Sequence, residues 1–192
     1  MEPIPALSIP MLERLERRLR SVAAPALTHA QPGLPLESVR ALTASFPGTV
    51  PAEAELWWSW RAWAPSGDIL PSTKYVAVDE AVNHYRWRRR FALESATSAL
   101  SPHMTADDWW HPLWLPIFAA DGGMVVISDV AASEGISAPI RRIDWQSIGG
   151  RGFNLLLAPS LGRYISDLLD AIDAGLYAYE DDFWTECESA NS

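Results

Sequence analysis

The chain has 192 residues, 48% of them hydrophobic and 20% charged, with a formal net charge of -9; it fits one folded domain of about 100–200 residues and falls outside the charge-rich composition of disordered chains. Net negative charge argues against nonspecific binding to nucleic acid or anionic lipid, which needs cationic surface, and favours a basic protein partner instead. No apolar run approaches the roughly 18–20 residues that cross a bilayer, residues 1–10 lack the basic-then-apolar order of a signal peptide, and a lone cysteine, Cys187, leaves no intramolecular disulfide or cysteine metal cluster, so a cytoplasmic protein is expected.

Met11, Leu12, Leu15, Leu19 and Val22 recur at helical spacing, with Arg14, Arg17, Arg18 and Arg20 on other faces, and predict an amphipathic helix over 10–23. After a polar, proline-containing connector, Leu36, Val39, Leu42 and Phe46 mark a short helix closed by Pro47-Gly48. Pro51 suits the first position of a third helix, whose Leu56, Trp60 and Trp63, with Trp57 beside them, form an aromatic face ended by Pro65-Ser66-Gly67. A short strand is expected around 75–78, then a helix capped by Asp79 that reaches to 99, then a polar turn over 101–108.

Two apolar, β-prone runs, 113–119 and 124–127, flank Asp121-Gly122-Gly123, a sequence suited to a tight hairpin. A loop at 131–138 precedes a strand at 139–145. Gly149-Gly150-Arg151-Gly152 then leads into 153–157, which reads either as a fourth strand or as the approach to the next helix. The closing helix is the clearest: Leu161, Tyr164, Ile165, Leu168 and Ile172 make one stripe, Asp167, Asp170 and Asp173 lie to the wet side, and Gly175 stands where a C-terminal cap belongs. An edge strand is expected over 177–182. Helices followed by a run of strands and a closing helix predict an α+β fold, with an antiparallel, possibly mixed, sheet of about four to six strands packed with helices.

Catalytic chemistry has no obvious carrier. His29, His84, His103 and His111 are scattered without a chelating spacing, no serine sits in a nucleophile elbow, and Cys187 lies in an acidic tail that disfavours a thiolate. The glycine-rich 149–152 segment lacks the Walker spacing. Arg86-Trp87-Arg88-Arg89-Arg90 lies on a predicted helix where successive arginines point in different directions, which reads as a solvated or ion-paired face. The more suggestive pattern is clustered acid beside aromatic: Asp107-Asp108-Trp109-Trp110-His111, and Asp181-Asp182 ahead of Phe183-Trp184. That mixture supplies charge steering and hydrophobic anchoring toward a basic protein, so Asp107, Asp108, Trp109, Trp110, His111, Asp181 and Asp182 are the candidate contacts.

Four short motifs, taken in order and spacing, resemble the signature of the SMI1/KNR4 (SUKH) family. They are Gly33-Leu34-Pro35; Leu56-Trp57-Trp58-Ser59-Trp60; Trp114-Leu115-Pro116-Ile117-Phe118-Ala119 with Asp121-Gly122-Gly123 and Asp129; and Ala158-Pro159-Ser160 ahead of an amphipathic helix. The resemblance covers roughly residues 34–175 of a single 1–192 domain, leaving an N-terminal helix and connector at 1–33 and an acidic tail at 180–192. The chain departs from the family where Ala62-Trp63-Ala64-Pro65-Ser66-Gly67 stands in place of the usual Asn-Gly after the third helix. The resemblance implies a non-catalytic binding protein without cofactor or metal. Bacterial members are commonly immunity proteins that neutralise a cognate toxin, frequently a nuclease, whereas a fungal branch consists of regulatory scaffolds of cell-wall synthesis. A small-molecule binder or enzyme, with its pocket along the aromatic third helix and His111, is the reading from a third class.

Overall fold

The computed structural model describes residues 4–23, 27–28, 30–62, 68–96, 104–120, 122–128, 137–144, 154–180 and 183–187. In chain order the elements are α1 (Ile9–Val22), β1 (Gln31–Pro32), α2 (Leu36–Thr43), α3 (Ala52–Trp60), β2 (Arg61–Ala62), β3 (Asp68–Leu70), β4 (Thr73–Tyr75), α4 (Val78–Ala96) and α5 (Ala106–Trp109). They continue with β5 (Trp114–Ala120), β6 (Gly123–Ser128), β7 (Ile140–Asp144), β8 (Asn154–Ala158), α6 (Leu161–Asp173), β9 (Tyr177–Glu180) and β10 (Phe183–Glu186).

Strands β3 to β8 form one six-stranded sheet in sequential order, with every neighbouring pair antiparallel. The chain is therefore α+β, as the order of its hydrophobic patterns predicts. The hairpin β5–β6 occupies the middle of the sheet, and its near-continuous apolar sequence follows from burial: Leu115, Ile117, Phe118, Val126 and Ile127 are all inaccessible to solvent. Pro116 lacks an amide donor, and the β5–β6 register shifts between Pro116 and Phe118, which is how a central strand accommodates it. Gly122 takes φ 73° in the turn.

Several local expectations shift. The strand expected at 75–78 lies at Thr73–Tyr75, preceded by β3, because Val78 is already helical and buried. Residues 106–109, expected as turn, form the one-turn helix α5. The helix α3 stops at Trp60, where Arg61-Ala62 pairs with Gln31-Pro32 instead of continuing toward Trp63. Residues 154–158 are a strand, which settles the fourth-strand alternative. The 177–182 segment contributes β9, but β9 pairs with β10 in a separate hairpin and not with the edge of the main sheet. β10 approaches β3 at one end of that sheet. Trp63, Asp121, Asp129, Trp145, the 149–152 loop and residues 97–99 lie outside the described residues.

The aspartates expected on the wet side of α6 are partly a docking face. Arg14 on α1 reaches Asp170 at 3.1 Å and Asp173 at 2.8 Å, Arg18 meets Asp173 at 2.8 Å, and Asp167 holds Arg163 one turn away. Under this rim Leu12, Leu15 and Leu19 of α1 and Ile165, Leu169 and Ile172 of α6 are buried. A buried carboxylate ties the chain's beginning to the same helix. Glu53, 2% exposed, accepts the Leu7 amide at 2.7 Å, the Gly162 amide at 2.9 Å and the Leu161 amide at 3.3 Å. Ser160 caps α6 by accepting the Arg163 amide and donates its hydroxyl to the Pro5 carbonyl at 2.8 Å. A Cβ on Gly162 would stand 2.3 Å from the Leu7 nitrogen, so only glycine lets the N-terminal segment lie across the helix start. Burial pushes the Glu53 carboxyl above its usual range, against the three amides that favour its charged form.

Candidate functional site

Helix α4 buries one stripe, Val78, Ala81, Val82, Tyr85 and Ala92, against the rest of the fold. A helix turns about 100° per residue, which sends Trp87 and Phe91 to the opposite side, one turn apart. Their rings stack at 5.7 Å with an interplanar angle of 15°, and Phe91 meets Trp109 of α5 edge-on at 6.0 Å. Trp87 is 46% exposed and Phe91 42%. The Arg88 guanidinium lies over the Trp87 ring at 4.4 Å from its centroid. A soluble helix normally gives such positions to polar residues.

Helix α5 is held in place beside this ladder by its own acids. Asp108 accepts the Thr105 amide and hydroxyl, each at 2.7 Å, and Thr105 receives the Asp108 amide in return, a reciprocal capping box. These bonds, the side-chain one foremost, hold the Asp108 carboxyl below the usual aspartate range. Asp107 pairs with Arg89 at 2.6 Å, and the same guanidinium donates to the Trp110 carbonyl at 2.8 Å. Both acids remain exposed at the surface, but each already has a local task.

The aromatic members of the expected cluster separate. Trp110 is 1% exposed and packs edge-on against Trp114, so its side chain belongs to the core. Trp109 is half-buried, with an indole N–H that meets no hydrogen-bond acceptor among the described residues. His111 is half-buried, accepts the Leu113 amide at Nδ1 over 3.2 Å and lies 6.0 Å from the Trp114 ring. Asp181 and Asp182 lie outside the described residues. Of the arginine run, Arg86 bonds to the Ser45 hydroxyl at 2.7 Å, Arg89 is paired as above, and Arg90 is exposed.

Beside the ladder a cleft of about 490 Å³ is lined by Glu80, Asn83, His84, Trp87 and Arg88. Glu80 accepts the Ala77 amide at 3.3 Å at the start of α4. Burial, then the nearby Arg88 charge, pulls His84 below its ordinary value despite Glu80, so the imidazole is neutral at neutral pH. Burial also lowers Arg88 to about 10, which leaves it charged but poorly hydrated. A second cleft, of about 360 Å³, lies along α1 and is bordered by Ile9, Arg17 and Trp60, with Glu16 held to Arg61 across it.

Compared with protein-family models and with curated proteins, the chain finds no match. Of the tryptophans on the aromatic third helix, Trp60 borders the second cleft, whereas Trp57 and Trp58 are wholly buried, Trp57 meeting Phe118 edge-on at 5.2 Å and Trp58 donating its indole N–H to the Val76 carbonyl at 3.0 Å. His111 lines neither of the two clefts. Among the described residues, no group of three or more His, Cys, Asp or Glu side chains is placed to hold a metal ion, and no helix is long and apolar enough to cross a membrane.

The Trp87–Phe91 ladder is the part of the site that the acid-and-aromatic pattern does not single out. A signal for it exists in the sequence: two large aromatics four residues apart, out of phase with the Val78, Val82, Tyr85 stripe of the same helix. Its value depends on knowing which stripe faces inward, and the arginines around it give the segment the look of a solvated face.

Proposed function

We propose that this chain is a non-catalytic protein-binding domain of the immunity type, which neutralises a cognate toxin by direct contact, and that the α4–α5 aromatic face is the contact. The observation that carries the reading is the stacked, half-exposed Trp87–Phe91 pair joined to Trp109. Tryptophan and arginine are the side chains that most often anchor protein interfaces, and a rigid pair already stacked loses little entropy on binding. The net charge of -9 speeds encounter with a basic toxin domain such as a nuclease, and blocking its substrate channel is sufficient for inhibition. The family resemblance points to the same activity.

The test is co-expression with the toxin domain encoded beside its gene. Protection of the host cell and recovery of a stoichiometric complex are expected, and a Trp87→Ala, Phe91→Ala double variant should weaken that complex at least about thirtyfold, the weight of one interface hot spot. Absence of both protection and complex sinks the immunity reading. Capture of several host proteins without protection would instead favour a regulatory scaffold.

A further inference from the structure

We propose that strand β8 pairs antiparallel with β8 of a second copy of this chain, joining two sheets edge to edge about a two-fold axis at Leu155. β8 ends the six-stranded sheet and, among the described residues, pairs with β7 alone. The outward amides and carbonyls of an edge strand are a template for another strand, and natural edges are usually blunted by charge, proline, a bulge or a covering element. Residues 154–158 read Asn-Leu-Leu-Leu-Ala, without charge or proline. A register shift against β7 passes over Leu157, which leaves Asn154, Leu155 and Leu156 in regular pairing ahead of it.

The two ends of the sheet differ. At the far end β3 is approached by β10, and its Ile69 and Leu70 are buried. At the near end Ile140 and Ile143 of β7 are sealed, but Leu155 is 52% exposed and Leu156 53%. Successive side chains of a strand point to opposite faces, so at these residues the sheet runs one strand past its cover on both sides. The Asn154 side chain accepts the Arg141 guanidinium at 3.2 Å, and leucine sets the character of the edge.

Charge and symmetry select the occupant. A net charge of -9 repels a second copy at long range, so self-association needs a contact whose own residues are neutral, and β8 supplies one. Antiparallel self-pairing centred on Leu155 sets Leu155 against its symmetry mate and Asn154 against the second copy's Leu156, with no like charges opposed. A foreign strand steered in by charge finds no charge on β8 to recognise. With the β3 end approached by β10, the shared patch is the same on both copies and the assembly closes at two. The strand against which α4 packs, β5, lies three strands from β8, so the pairing is separate from the α4–α5 face and does not rest on the toxin-binding reading.

The experiment is sedimentation equilibrium of the full chain over about 5 to 500 µM. One short strand pair buries less than the roughly 1,200 Å² of a stable complex, so a monomer–dimer equilibrium with a dissociation constant on the order of 100 µM is expected. Raising salt to about 0.5 M screens the mutual repulsion and should tighten the dimer at least about threefold, whereas a contact between opposite charges weakens under the same change. Leu155→Lys and Leu155→Glu should each weaken the dimer at least about tenfold, and an equal mixture of the two should recover a mixed dimer, since the substituted positions then oppose unlike charges. Because Leu155 is exposed, both variants should keep the wild-type unfolding midpoint. A chain that stays monomeric throughout the range overturns the proposal, as does a dimer indifferent to both variants, a mixture that fails to pair, or species that grow beyond two. If the chain alone is monomeric and Leu155→Lys breaks its complex with a toxin domain, the edge belongs to a foreign strand and self-pairing is refuted.

Discussion

The two sides of the molecule treat aromatic and charged residues in opposite ways. Around α1, α3 and α6, Trp57 and Trp58 are sealed in the core, Glu53 satisfies three buried amides, and Arg14 and Arg18 find Asp170 and Asp173. Around α4 and α5, Trp87 and Phe91 stack on each other in contact with solvent, and a half-buried Arg88 borders an open cleft. Indole surface that the first side seals into its core stays in contact with solvent on the second. The difference separates residues that hold the chain together from residues that the fold leaves exposed.

Substitutions should split along the same line. Trp57→Ala on the sealed side removes a buried indole that packs on Phe118 and Tyr75, and denaturant unfolding should show a loss of about 4 kcal/mol. Glu53→Ala leaves the Leu7, Leu161 and Gly162 amides without their acceptor and should cost about 3 kcal/mol in the same measurement. Because burial raises the Glu53 carboxyl, its contribution is present below the ordinary carboxyl range and declines as pH rises through the raised value. A pH series of wild-type unfolding should contain that decline, and the alanine variant should lack it.

On the open side, Trp87→Ala should leave unfolding within about 0.5 kcal/mol of wild type while costing about 2 kcal/mol of partner affinity by calorimetry. A large loss of stability there, with binding intact, would erase the distinction between the two sides. The smallest effect is expected in α5: Asp108→Ala opens its capping box and should lower stability by about 1 kcal/mol. Asp108 is held low, so its contribution is present above the ordinary aspartate value and is lost as pH falls through the depressed one. Its pH dependence therefore runs opposite to that of Glu53, and the two variants read at pH 3 to 7, a range of about four units, separate the contributions.

Legibility followed periodicity. The helices α1 and α6 and the β5–β6 hairpin are apparent because their apolar stripes or runs match a single burial environment. The one-turn α5 is not, since Asp107 and Asp108 ahead of two tryptophans look like a solvated entrance until Thr105 and Asp108 are seen to cap each other and Arg89 to claim Asp107. The same ambiguity makes Trp110 look like a contact residue in the sequence, although a one-residue step separates its buried ring from the half-buried one of Trp109. Glu53 gives no sign of its task, because its three partners are 46, 108 and 109 residues away.

By itself the sequence determined the α+β class, the central hairpin and the amphipathic helices, because hydrophobic spacing selects a local geometry wherever one face is buried. Only the tertiary structure decided which tryptophans fold the protein and which remain on its surface. Trp57 and Trp87 each lie on a helix, the first between Leu56 and Trp58 and the second between Arg86 and Arg88; Trp57 is sealed where it meets Phe118 and Tyr75, while Trp87 stays 46% exposed on the outer side of α4, stacked on Phe91. Contact across long sequence separations, not composition, divides a core tryptophan from an exposed one.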